Sequence, residues 1–148
     1  MKKIILVKAI LFCILLVSNS NAVQSDYFEK GKLLFEKNQI DKSKILFERD
    51  LVFNPRSENS YLYLAKIFNK RENDEEEEIN LNNVLLINPQ NDEALYMLTI
   101  LKIKQSDYQE SKKLIKQFTL VCKSFCSKKN EMKEKFNKLI PENDKEKD

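Results

Sequence analysis

Asn54-Pro55 and Asn88-Pro89 stand 34 residues apart, and each closes an apolar run, Leu51-Val52-Phe53 in one case and Leu85-Leu86-Ile87 in the other. A recurrence at this period restricts the chain to a small set of architectures, because each unit is too small to bury its own apolar face and must stack on the next. Aligning the prolines brings Tyr27 onto Tyr61, Gly31 onto Ala65, Leu34 onto Phe68 and Phe47 onto Leu81. A third copy starts at Asp92 and matches through Leu95, Leu98, Ser111 and Ile115, without a closing Asn-Pro. Within each copy the apolar residues recur at helical spacing. Tyr27 and Leu34, then Ile45, Phe47 and Leu51, mark two helices in the first copy. Tyr61, Leu64, Ala65 and Phe68, then Leu81, Val84 and Leu85, mark two in the second, and Leu95, Leu98 and Leu101, then Leu114, Ile115 and Phe118, two in the third. Short polar breaks at Asn38-Gln39, Asn73-Asp74 and Gln105-Ser106-Asp107 fit antiparallel neighbours. Proline after each second helix stops its continuation, since it lacks an N–H and disfavours α geometry in the preceding Asn.

Composition removes most chemistry. With no His there is no Ser-His-Asp or Cys-His catalysis and no imidazole metal site. One Gly in 148 residues leaves no phosphate-cradling loop and no dinucleotide fingerprint, and argues against a hairpin-rich β fold. No catalytic residue, metal site or cofactor is expected, and the chain reads as a non-enzyme.

Residues 1–22 have the three-part layout of a secretory leader: Lys2 and Lys3, an apolar segment from Ala9 to Val17, and Ser20-Asn21-Ala22 before an expected cut at Val23. Counted from Ile4, the apolar stretch is 14 residues long and contains Lys8, short of the roughly 20 that span a bilayer. Membrane contact is therefore expected only through the uncleaved leader. Cys13 lies inside the apolar segment behind Leu11-Phe12, unlike a lipoprotein cysteine. Of the 26 Lys+Arg, Lys2, Lys3 and Lys8 belong to the leader, which leaves 23 bases against 23 acids. A mature chain with no net charge offers no electrostatic basis for binding nucleic acid.

The pattern resembles the tetratricopeptide repeat (TPR) family. Tyr27, Gly31, Leu34, Ser43, Phe47 and Pro55 carry the resemblance in the first copy. Tyr61, Leu64, Ala65, Phe68, Leu81 and Pro89 carry it in the second, and Leu98, Tyr108, Ser111 and Ile115 in the third. It covers about residues 24–124, with departures at Lys30, Asp50, Glu77, Lys102 and Lys123. The resemblance implies an all-α fold of antiparallel helix hairpins in a right-handed superhelical stack. The units expected are 24–57, 58–91 and 92–125, within a repeat domain 23–140. The amphipathic stretch Lys129 to Ile140, with Met132, Phe136 and Leu139/Ile140 on one face, completes it as a cap over 127–140. Residues 141–148 read as a disordered polar tail. Gly31 and Ala65 fall where the two helices of a hairpin cross closely.

In the family the first helices line a concave groove. That register directs Phe28, Lys32, Phe35, Leu62, Lys66, Asn69, Lys70, Tyr96 and Ile100 toward a partner. Such a lining suits an extended or helical peptide with apolar anchors and acidic flanks. The two-carboxylate clamp of some chaperone-binding members is not supported, because its positions hold Phe28, Lys32, Tyr63, Glu93 and Met97. Cys122 and Cys126 are the two cysteines of the mature chain and are read as a structural disulfide in an oxidising compartment. Residues i and i+4 of an unbroken helix hold their Cβ atoms roughly 6 Å apart, so a bond there requires a break near Lys123-Ser124-Phe125. A redox-active pair and two unbonded thiols stay open as alternatives. The run Glu75 to Glu78 reads as the acidic N-terminus of a helix.

Together these readings lead to the expectation of an exported bacterial TPR adaptor or assembly factor of the periplasm, holding a protein or peptide partner. The bacterial assignment follows from the Lys/Asn-rich, Gly-poor composition and the short leader. The alternative is a structural repeat protein that pairs with its own copies through exposed apolar ends.

Overall fold

The computed structural model describes residues 26–139; the expected leader, its cleavage site after Ala22 and the tail 141–148 lie outside them. Seven α-helices follow one another among the described residues: α1 Tyr27–Glu36, α2 Ile40–Phe53, α3 Glu58–Lys70, α4 Asp74–Ile87, α5 Asp92–Lys104, α6 Tyr108–Val121 and α7 Lys129–Leu139, the last preceded by a 3-10 turn, Cys126–Lys128. Helices pack in order, α1 on α2, α3 on α4 and α5 on α6, with α2 against α3 and α4 against α5 between hairpins. α1 also meets α3, and α7 closes the end against both α5 and α6. No helix among the described residues is long and apolar enough to cross a membrane.

One backbone device makes all three hairpins. Asn38, Glu72 and Ser106, each 34 residues from the next, have φ of 57°, 55° and 60°. Each ends a first helix in the left-handed region. The N–H of Glu72 bonds Asn69 O at 3.1 Å and that of Asn73 bonds Phe68 O at 3.0 Å, the pair of bonds that satisfies a helix's last carbonyls. The same bonds recur at Asn38-Gln39 and Ser106-Asp107. The second residue of the pair then starts the next helix: the side chains of Asn73 and Asp107 accept from the N–H groups of Glu76 and Glu110. Glycine is absent from all three left-handed sites.

Close packing explains the small residues. Gly31 is buried on α1, and a Cβ added there would meet Phe47 Cε1 of α2 at 2.8 Å. Its counterparts one and two repeats on, Ala65 and Thr99, are fully buried. The core has two parts. An aromatic one under the first hairpin holds Phe47, Leu64, Ile67 and Phe68. The larger one runs from Leu62, Ala65 and Leu81 through Leu95, Leu98, Leu114 and Phe118 to Met132 of α7. Position 43 of the first repeat is Ser, and its counterpart two repeats on is Ser111; between them stands Glu77, only 2 % exposed. Burial raises its carboxyl above the ordinary range, partly offset by Asn69, whose side-chain amide donates to both oxygens at 3.1 Å.

Carboxylates clip the loops between hairpins. Glu58, first residue of α3, accepts from the side-chain amides of Asn88 at 2.9 Å and Asn91 at 2.6 Å. Asp92 occupies the same position one repeat on. Its Oδ2 accepts from the backbone N–H groups of Lys123 (2.6 Å), Ser124 (2.6 Å) and Phe125 (2.9 Å). Burial acts to raise the Asp92 carboxyl, but these three bonds prevail and its pKa is lowered. The loop Asp92 holds stands where an Asn-Pro closes the earlier copies. Helix α6 stops at Val121, and Cys122 and Cys126 lie at disulfide distance, Sγ–Sγ 2.14 Å with Cα atoms 5.2 Å apart. Ion pairs add further ties between repeats, Lys104 to Asp74 and Lys102 to Glu78 at 2.6 Å each, and Arg71 to Asp41.

Three consequences are measurable by thermal melts. Ala65→Leu overpacks the crossing of α3 and α4 and is expected to cost about 1–3 kcal/mol. Glu72→Asn, which suits left-handed geometry, is expected to stabilise by up to about 1 kcal/mol, and Asn38→Glu to do the reverse. Cys122→Ser with Cys126→Ser, or reduction by a dithiol, is expected to cost about 2 kcal/mol through the freed five-residue loop; an unchanged melt under reductant would show that the pair contributes nothing.

Candidate functional site

Phe28, Lys32 and Phe35 share one face of α1, and Tyr63, Lys66 and Lys70 share one face of α3, each set spaced by three or four residues. Packing of α1 on α3 joins these faces around Tyr63. Its ring meets Phe28 and Phe35 edge-on, centroids 5.7 and 5.2 Å away, and leans on Phe47 at 5.0 Å. Such aromatic pairs add roughly 0.5–1.5 kcal/mol beyond simple burial. Lys66 Nζ sits 4.8 Å from the Tyr63 centroid and Lys70 Nζ 5.7 Å from that of Phe35. Burial raises the Tyr63 phenol above its ordinary value; nearby Lys32 opposes this, and Glu36, Glu93 and Glu29 reinforce it.

The lysines are not equivalent. Lys66 pairs with Glu93 of α5 at 2.9 Å, both about three-quarters buried, so this bond fastens the second repeat to the third. Among the described residues, Lys32 and Lys70 have no ion pair. The result is a half-buried aromatic floor beside two cations without carboxylate partners. That combination favours a ligand carrying an apolar group and a negative charge.

Tyr96 belongs to a second cluster at the far end. Its ring lies 6.0 Å from Phe125, its hydroxyl donates to Glu131 at 3.1 Å, and Lys128 Nζ lies 5.9 Å from its centroid. Hydrogen bonds from Lys128, Lys135 and Tyr96 lower the Glu131 carboxyl to about 2. Burial, then the bond to Glu131, raises the Tyr96 phenol. These contacts bind α7 to α5, so Tyr96 serves the cap. Ile100 is half-buried against the main core.

The structure places five of the nine expected groove residues, Phe28, Lys32, Phe35, Lys66 and Lys70, about one centre. Leu62 is a correction: it is 6 % exposed and belongs to the main core. The next residue, Tyr63, is half-buried and packs instead against the aromatic cluster under the first hairpin. Asn69 is turned to Glu77 within its own hairpin. Tyr63, missing from the expected set, is the hub; the spacing Tyr63-Lys66-Lys70 beside Phe28-Lys32-Phe35 is the signal that points to it. Among the described residues no group of three or more His, Cys, Asp or Glu is placed to hold a metal ion.

No protein-family model matches the sequence, and no curated protein matches it significantly. Solved structures do match. YrrB, a TPR protein with an unusual peptide-binding site, superposes with a TM-score of 0.68 at 13% identity over 83% of this chain; the chain spans 61% of YrrB, less than two thirds of its length. The first TPR of Spaghetti (RPAP3), solved with an HSP90 peptide, gives 0.68 at 15% identity over 79% of this chain and 98% of its own. The C-terminal TPR-containing domain of a Plasmodium falciparum FK506-binding protein gives 0.62 at 20% identity, over 77% and 83%. At such identities the likeness is one of architecture, and with the hairpins described above it establishes that this chain has a TPR-type fold.

Proposed function

We propose that the chain is a non-enzymatic protein-interaction module that holds a peptide segment against α1 and α3, as an adaptor or assembly factor of the bacterial cell envelope. The observation that carries the reading is the Tyr63 hub: aromatic rings half open to solvent, flanked by Lys32 and Lys70 without carboxylate partners. An apolar anchor would lie on the rings while an acidic flank meets the lysines, the pairing that gives a groove both affinity and register. The likeness to YrrB and to the peptide-bound Spaghetti domain supports this use of the fold. Export to the periplasm is supported by the leader-like residues 1–22 and by the cysteine pair at disulfide distance.

Fluorescence polarisation with labelled peptides tests the binding. Peptides with one aromatic or aliphatic anchor and acidic flanks are expected to bind, and Lys32→Glu with Lys70→Glu to weaken them about tenfold without moving the melt. Equal binding of basic-flanked peptides, or an unaffected double variant, overturns the reading. For export, N-terminal sequencing of chain recovered from the periplasmic fraction is expected to begin at Val23.

A further inference from the structure

Ser43 of α2, Glu77 of α4 and Ser111 of α6 hold one position in the three hairpins, and none is more than 2 % exposed. A serine there needs one hydrogen bond, which Ser111 makes by donating to the Asp107 carbonyl at 2.6 Å. A carboxylate needs its charge answered as well. Helix α4 packs on α3 and α5, and neither brings it a cation. From α3 comes Asn69, whose neutral amide donates to both Glu77 oxygens at 3.1 Å. From α5, Lys104 is engaged by Asp74 and Lys102 by Glu78, at 2.6 Å each. Asp74, one turn earlier on α4, adds a like charge. Glu77 thus has no ion pair among the described residues.

An amide is the partner that serves both forms of an acid. It donates to the carboxylate, as here. Turned over, it accepts the O–H of the protonated acid while its own N–H donates to the other oxygen. The second arrangement is a neutral pair joined by two bonds; the first leaves an unanswered charge in a closed site. We propose that Glu77 is a proton-operated joint: protonation closes α3 on α4 more firmly, and ionisation makes the middle hairpin the easiest unit of the array to open. That hairpin contributes to both parts of the core, so its opening uncouples the first repeat from the third. Burial raises the Glu77 carboxyl, and the Asn69 amide and Lys104 offset this only in part. The folded chain therefore holds this proton to higher pH than the unfolded one. The stabilising contribution is complete below the ordinary glutamate value and is lost as the pH rises through the raised one. The far end answers with the opposite sign. Asp92, despite its burial, and Glu131 are both lowered by the hydrogen bonds they accept, so the loop and cap they hold weaken as acid protonates them. Acid thus firms the middle of the array and loosens its end.

Carboxyl carbon NMR of the full chain reads the proton directly. The Glu77 signal, assigned through its own backbone amide, is expected to titrate above the ordinary glutamate range. Thermal melts over a series of pH values then compare the parent with Glu77→Gln, which keeps the size of the neutral acid and cannot ionise. The parent's melting temperature relative to the variant's is expected to fall as the pH rises. Asp92 and Glu131 titrate in both chains and drop out of the difference. Hydrogen exchange, corrected for its intrinsic rate, is expected to show the amides of α3 and α4 losing protection in the alkaline parent and keeping it in the variant. Should Glu77→Gln not fold, Glu77→Ser, which installs the residue of the neighbouring repeats, takes its place. A Glu77 signal that titrates within or below the ordinary range overturns the proposal. So does a constant difference between the two melts, or an equal loss of protection in both chains. None of these readouts depends on peptide binding at Tyr63.

Discussion

The closeness of the two helices in each hairpin governs everything built on them. With Gly31 against Phe47, and with Ala65 and Thr99 fully buried at the same position in the later repeats, α1, α3 and α5 lie near enough to their partners for aromatic and aliphatic side chains to fill the space between hairpins. The adjoining faces of α1 and α3 then stand side by side, and that alone brings residues from two repeats around Tyr63. Were the hairpins splayed, Phe28 and Phe35 would lose their contact with its ring, and the lysines would be scattered on separate helices. Packing at a crossing thus determines the geometry of a surface that contains none of the crossing residues.

Polar contacts do a different job. Glu58 and Asp92 do not deepen the core; they set where one hairpin hands over to the next, by holding the loop that leaves it. Lys66 and Glu93 act across the same boundary from the other side. Because each such bond lies within one unit or joins it to the next, stability in this fold is close to a sum over neighbours. Glu77 is the costly member of the set, a carboxylate where the neighbouring repeats use serine, held by the amide of Asn69.

Period, helix number and the cap were legible in the sequence because prolines, apolar spacing and small residues all repeat at 34. The turns were not, since the left-handed residues are Asn38, Glu72 and Ser106 and no glycine advertises them. The hub was missed by one residue: Leu62 and Tyr63 are adjacent and both apolar enough for either face, and only the packing, Leu62 into the main core and Tyr63 against the aromatic cluster, decides between them. The bond between Lys66 and Glu93 was equally hidden, because its ends lie 27 positions apart on different repeats. Val52, Leu86 and Leu120 also recur at 34 residues, yet their exposure becomes known only once the hairpins are stacked.

The loop held by Asp92 also bears on how many units the array contains. Where the first two copies end in Asn-Pro and lead into another hairpin, the third enters five residues bounded by cysteines and turns into a helix whose Met132 shuts the apolar end. The terminator is thus carried by a few residues at one junction and by Asp92 and Tyr96 of the third unit, which hold it. An inserted duplicate of residues 58–91 would meet familiar neighbours on both sides and leave that junction untouched, so the span of the inner wall is a quantity that gene duplication can lengthen in whole steps.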